Sequence, residues 1–301
     1  FIYRIEFGEE PAEGELRRPL SDYEMATRLS FFLWVSMPDI ELFEVAERGE
    51  LHTKEQIANQ ARRMLEDPKA RRAVRHFYTQ WLNLTKLPET EKVLRQFPNW
   101  SPAVAEAMIR EVTTLAEHLT WTVDGEIADL FNTQTSFLDQ QLANFYEVEG
   151  IEGVDLTQVE FDPAERSGIL TRGGVMAAHA KSDQGSPIVR GVFVRERVLC
   201  QQLPNPPDDV DNSPPEFDPN GTTRDRFAAH TEVESCAACH QLIDPVGFTF
   251  EAYDAVGRYR DTENGLMIDT RGELIDAGDL NGEYINAQAM SDAFAQSELV
   301  H

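Results

Sequence analysis

Cys236-Ala237-Ala238-Cys239-His240 is the stretch whose residue types and spacing are best suited to chemistry. Two thiols three residues apart fall on one side of a single helical turn. An imidazole follows directly on the second thiol. This is the C-x-x-C-H attachment pattern of a c-type haem: the thiols bond to the porphyrin's two vinyl groups, and the histidine reaches the iron as an axial ligand. Two other chemistries use the same residues. A redox dithiol needs a strand-to-helix junction, and the segment before the motif, Thr222 to Glu234, is polar and helix-like. Zinc would draw on Cys236, Cys239, His240 and His230, but a ligand directly following another suits tetrahedral zinc poorly.

The chain's three cysteines include Cys200, which has no evident partner and is expected to be a buried thiol acting as a small hydrophobe. His240 is the proximal ligand on this reading. The sixth position stays open among His179, Met267, Met176 and no protein ligand. A second imidazole gives a low-potential carrier, a thioether raises the potential, and an open site admits peroxide or oxygen. Phe248, Phe250 and Tyr253 follow the motif closely and can wall a porphyrin or simply pack a core. Arg258 and Arg260 can pair with propionates or form surface ion pairs. Asp244-Pro245 is read as a turn that orients the His240 region.

Acidic residues number 53 against 27 basic, a net charge of −26. That balance excludes a phosphate-binding surface for nucleic acid and an anionic membrane as partner. It suits a solvated acidic surface, or a docking face for a basic electron-transfer partner. No run of eighteen apolar residues occurs, so no membrane span is expected. Phe1 to Phe7 is not a signal peptide, and the chain is expected to be processed or part of something longer.

The elements that must position the motif are mostly helical. Ser21 to Glu24 and Thr53 to Gln56 are capping boxes, and Asp67-Pro68 and Ser101-Pro102 are helix starts. Ala26, Leu29, Phe32 and Leu33 recur at helical spacing, as do Ala70, Ala73, Val74, Phe77, Trp81 and Leu84. Val104, Met108, Val112, Leu115 and Leu119 line a long helix ending before Gly125. Residues 1–150 read as an antiparallel helical bundle. Asn132 to Asp162 reads as a short helix with acidic loops. Residues 163–260 read as a smaller, mostly helical, single-haem domain. It includes a proline-rich strap at 203–221, with six prolines and five carboxylates. Asp208, Asp209 and Asp211, with Asp218 to Gly221, offer oxygen ligands for calcium but lack the spacing of an EF-hand loop. Residues 261–301 read as a small hairpin, with turn signals at Asn264-Gly265 and Arg271-Gly272, and a final helix. The fold class is thus mainly α with a short β-hairpin.

Several phrases together carry a family likeness. They are Leu20-Ser21-Asp22-Tyr23-Glu24, Leu29-Ser30-Phe31-Phe32-Leu33-Trp34, Arg166 to Thr171 and Ser186-Pro187-x-x-Arg190-Gly191. The haem-type motif follows, then Ile243-Asp244-Pro245-Val246-Gly247-Phe248, Glu251-x-Tyr253-Asp254-Ala255-x-Gly257-Arg258 and Ile268-Asp269-x-x-Gly272-Glu273-Leu274. In these the chain resembles the large exported c-type cytochromes of the planctomycete type, over most of its length. The resemblance implies export to a periplasmic or extracellular site, one covalent haem c, a cytochrome c-like redox domain, and an unidentified redox partner protein. Relatives usually continue with a further helical segment and often carry an extra cytochrome domain upstream. The resemblance implies no particular substrate. An electron-transfer module is the leading expectation. The alternatives are a haem enzyme, peroxidase-like or the electron-accepting part of a dehydrogenase, and a haem-free zinc or disulfide interaction protein.

Overall fold

The computed structural model describes residues 5–11, 14, 16–203, 218, 220–228 and 234–300, with 228 and 234–238 described for the backbone alone. Most of the proline-rich strap, the Asp208/Asp209/Asp211 cluster and His230 lie outside the described residues, as does the side chain of Cys236. The chain groups into two compact units, Phe1–Phe77 and Tyr78–His301.

In the first unit, α1 (Asp22–Trp34), α2 (Ile40–Glu47) and α3 (Lys54–Glu66) begin at side-chain caps from Ser21, Asp39 and Thr53. Each such cap is worth about 1 kcal/mol. The Glu24 carboxylate accepts from Ser21, Gly8 and Phe7 backbone N–H groups, which pull its pKa down to about 2. The core forms round Trp34, which is fully buried and donates Nε1–H to Met64 O at 2.8 Å. Lys69 Nζ lies 4.2 Å from the centre of that ring. The buried stripe of α1 is Ala26, Ser30 and Trp34. Phe32, expected inside, is 73% exposed. The helix is where its pattern says, but the arc it buries is rotated, because the i, i+4 row with the indole fits against α3.

The helix α4 (Pro68–Trp81) crosses the boundary between the units. In the second unit, α5 (Pro102–Trp121) buries Val104, Met108, Val112, Leu115 and Leu119, the stripe read from the sequence. Packed near it are α6 (Ile127–Asn132), β1 (Thr135–Leu138) and α7 (Gln140–Tyr146). Then β2 (Thr157–Glu160) pairs antiparallel with β1, Thr135 opposite Glu160. The segment expected to be one short helix with loops therefore also holds a two-stranded sheet. A short 3-10 turn, Ile169–Thr171, leads into α8 (Gly173–Ala178). The compact unit runs from Tyr78 because α5 shares one apolar core with these later elements.

The last segments are α9 (Pro187–Phe193), continued by a π turn at Val194–Val198, α10 (Thr223–Ala228) and α11 (Glu234–Phe248). The hairpin β3 (Thr262–Glu263) and β4 (Leu266–Met267) turns at Asn264-Gly265, both at positive φ, as the sequence signal requires. Arg271-Gly272 is not a second turn. It opens β5 (Gly272–Leu274), which pairs with β6 (Gly282–Tyr284), and α12 (Ala287–Phe294) closes the unit. The fold is mainly α with small two-stranded sheets, three of them among the described residues.

Candidate functional site: the motif helix and its supports

The motif sits on α11. Packing of α9 along α11 fixes that helix, and two glycines make the packing close. A side chain at Gly191 would strike the backbone of Ile243, and one at Gly247 would strike the backbone of Pro187. The two helices therefore run antiparallel at backbone contact, and Arg195 ties them by donating Nε–H to Leu242 O at 2.9 Å. Pro245 lies inside α11. The expected turn at Asp244-Pro245 is instead helix, which places Asp244 one turn beyond His240.

That placement carries the chemistry. His240 Nδ1 stands 2.9 Å from Asp244 Oδ2, and the Asp244 side chain is 2% exposed. A carboxylate accepts from Nδ1–H, so Nε2 is the ring nitrogen that carries the lone pair. The sequence expectation that Asp244 orients the His240 region meets a different geometry, a helical i, i+4 contact in place of a turn. Cys239 is a free, partly buried thiol adjacent on the same turn. An imidazole oriented by a buried carboxylate, beside a thiol, has the donor chemistry of an iron ligand at a thioether attachment site. These residues fit a c-type haem. Among the described residues no group of three or more His, Cys, Asp or Glu side chains is placed to hold a metal ion.

His179 belongs to different surroundings. It ends α8, is 4% exposed, and its Nδ1 donates to Val175 O at 2.8 Å. Its ring packs on Phe193 with centroids 4.0 Å apart. These contacts place His179 between the end of α8 and Phe193 of α9. Burial lowers its pKa to about 4, against the Val175 bond, with Arg190 and Arg197 adding to the lowering. Lys92 caps the same helix end, donating Nζ–H to Ala177 O and Lys181 O at 3.0 Å each. Met176 is buried in the core of α8, and Met267 is 74% exposed on β4.

The residues expected to wall a porphyrin divide. Phe248 is buried under the Arg224 guanidinium, 4.2 Å from its ring centre. Phe250 and Tyr253 belong to the hydrophobic core of the second unit, and Tyr253 donates its hydroxyl to Glu165 O at 2.6 Å. Arg258 donates Nε–H to Asp254 Oδ2 at 3.1 Å, and Arg260 lies 3.5 Å from Glu263. Both line a cleft formed with Phe145, Tyr146 and Phe161. Cys200, expected inside, is exposed at a left-handed φ of 53°. It follows the π turn, whose extra residue swings the chain out of the helix axis.

A buried ionic cluster holds this half together and was not read from the sequence. Arg190, fully buried, donates to Phe250 O at 2.8 Å and to Asp254 O at 3.1 Å, and lies 3.8 Å from Glu251. Glu251 is 2% exposed, and burial pushes its carboxyl pKa up.

Residues 20–148 match the family model described as PSD4, protein of unknown function (DUF1592), and residues 166–263 match PSCyt3, protein of unknown function (DUF1588). Both are domains of planctomycete-type, cytochrome-associated proteins. No curated protein and no solved structure matches the chain. Among the described residues no helix is long and apolar enough to cross a membrane.

Proposed function

We propose that this chain is a c-type cytochrome module that carries one haem, attached through Cys236 and Cys239 with His240 as axial ligand, and transfers electrons. The observation that carries the reading is the His240–Asp244 contact of 2.9 Å on the helix that bears the motif. The two cytochrome-associated domain matches support it. When bound, the haem supplies a one-electron iron couple.

The chain's own residues perform the rest. Asp244 holds the imidazole in one tautomer and one orientation, so its ligand nitrogen needs no reorientation when the iron changes charge. The glycine contacts between α9 and α11 hold the motif helix rigidly. Phe248, the last residue of α11, supplies buried apolar surface about two turns beyond His240. Thioether attachment is completed outside the cytoplasm, so an exported protein and an external redox partner follow from the same reading.

The carboxylate bond also favours a second reading, a peroxidase-like haem enzyme. Such a bond makes the axial imidazole more basic and so stabilises more oxidised iron.

Expression in a periplasm with haem c maturation tests both. The expected result is a gain of one haem in intact mass, with α and β bands that survive acid–acetone extraction. Both should be lost in a Cys236→Ser, Cys239→Ser double variant. A low-spin oxidised spectrum selects electron transfer, whereas a high-spin one that shifts with cyanide selects the enzyme. Protein that leaves the periplasm with zinc or free thiols and no haem overturns both.

A further inference from the structure

A cleft of about 520 Å³ opens in the second unit between the end of α7, the segment after β2 and the turn at residues 254–260. That volume suits a small organic molecule. Its floor is cationic in a strongly acidic protein. Arg166 is 3% exposed, held by Thr171 O at 2.6 Å and Gly257 O at 2.7 Å, with its guanidinium 4.6 Å from the centre of the Tyr146 ring. No carboxylate lies within ion-pair distance of it among the described residues. Arg166 also stands 5.5 Å from the Phe161 ring, and Arg172, fully buried and not itself lining the cleft, approaches that ring from 5.1 Å. The carboxylate that acts on Arg172 is Glu111, already taken by Ser136 and Tyr146 hydroxyls.

Two further arginines, Arg258 and Arg260, line the cleft from one short turn. Asp254 fixes Arg258 by accepting both its Nε–H and its backbone N–H, and Arg258 lies 5.8 Å from the centre of the Phe145 ring. Arg260 lies 3.5 Å from Glu263, which is shared with Arg226 and with Thr223, and buried Glu251 also interacts with it. Arg260 Nε is buried with no hydrogen-bond partner. The other acids of the cleft, Glu147 and Glu165, are exposed and solvated at its rim. Pre-oriented guanidiniums above an under-neutralised floor select an anion, and planar forks select a carboxylate bidentately. The Phe145, Phe161 and Tyr259 side chains along the walls select a ring on which that carboxylate is carried.

We propose that this cleft is a binding site for a carboxylate borne on a six-membered ring, with Arg258 and Arg260 as its contacts. The site stands apart from the haem reading and does not depend on it. Aromatic acids and sugar acids share the chemistry, and the test separates them.

Calorimetric titration of the full chain with benzoate and with glucuronate, against benzyl alcohol and glucose, is the experiment. At least one of the two acids should bind in the millimolar range or tighter, its neutral analogue should bind at least tenfold more weakly, and added salt should weaken the binding. Which acid binds identifies the source. Arg258→Gln and Arg260→Gln should each weaken that acid tenfold or more, with the circular dichroism spectrum unchanged. Glu147→Gln and Glu165→Gln, at exposed positions that do not threaten folding, should tighten it severalfold at low salt. The proposal fails if neither acid binds, if the neutral analogue binds equally, or if the rim variants leave affinity unchanged. It also fails if Arg258→Gln shifts the reduction potential of haem-loaded protein without altering acid binding, which would assign Arg258 to a propionate.

Discussion

His240 and Asp244, four residues apart on one helix, meet with Nδ1 2.9 Å from Oδ2, and the carboxylate is shut away from solvent while the imidazole remains partly open. A buried anion held against a more accessible ring directs that ring's remaining nitrogen and raises its basicity.

Asp244→Asn keeps the shape and removes the charge. In haem-loaded protein the potential should rise, because a less basic imidazole stabilises oxidised iron less. A tenfold loss of that preference corresponds to about 60 mV for one electron. Spectroelectrochemical titration reads it directly, and an unchanged potential would mean that His240 is not the ligand.

The contact of α9 with α11 leaves no room for a methyl group at Gly191 or Gly247. Gly191→Ala and Gly247→Ala should each destabilise the protein by about 1–3 kcal/mol or more, the cost of overpacking against backbone that cannot move aside. Urea denaturation measures this. Gly150→Ala, where nothing lies near the added carbon, carries the ordinary penalty of its positive φ and serves as the comparison.

Arg190 is a cation with no exposure whose donors serve backbone carbonyls at Phe250, Asp254 and Met176. Arg190→Met strands those acceptors and leaves Glu251 without its nearest charge. The expected loss is about 3–5 kcal/mol, as when one partner of a buried pair is removed. Chemical denaturation should show it, and Glu251→Gln in the same background should recover part, since the stranded charge is then gone.

His179 gives an acid-side dependence. In the unfolded chain it takes a proton near pH 6.5, whereas burial holds it neutral in the fold down to about 4. Between those values the unfolded state binds more protons, so stability falls as pH is lowered, by about 3 kcal/mol across the window. Arg190 and Arg197 add to the lowering, and Lys92, which caps the same helix end, is itself acted on by Asp254 and Asp183. Urea midpoints at pH 7 and pH 4.5 should converge in His179→Gln relative to the parent, whatever that variant's absolute stability.

Local rules made much of the architecture legible. Ser21 with Glu24, Thr53 with Gln56 and Ser101 with Pro102 mark helix starts that the structure keeps, because a cap is a contact within four residues. The stripe of α5 was legible because every member faces the core. The stripe of α4 was not: Phe77, in its apolar row, is 58% exposed, since amphipathic spacing names a face without naming a partner. The pairing of β1 with β2 escaped notice because Thr135 to Leu138 is buried without alternation, and its partner lies about twenty residues further on.

By itself the sequence determined the helical class and the position of the thiol–thiol–imidazole triplet, because both depend on neighbours along the chain. Only the tertiary structure decided that Asp244 reaches His240 from within a helix rather than through a turn, that His179 is buried against Phe193, and that Arg258 and Arg260 open into a cleft. Those relations depend on how closely two helices approach and on which side chains burial leaves facing one another. Spacing along a chain cannot encode the distance between segments that meet only after folding.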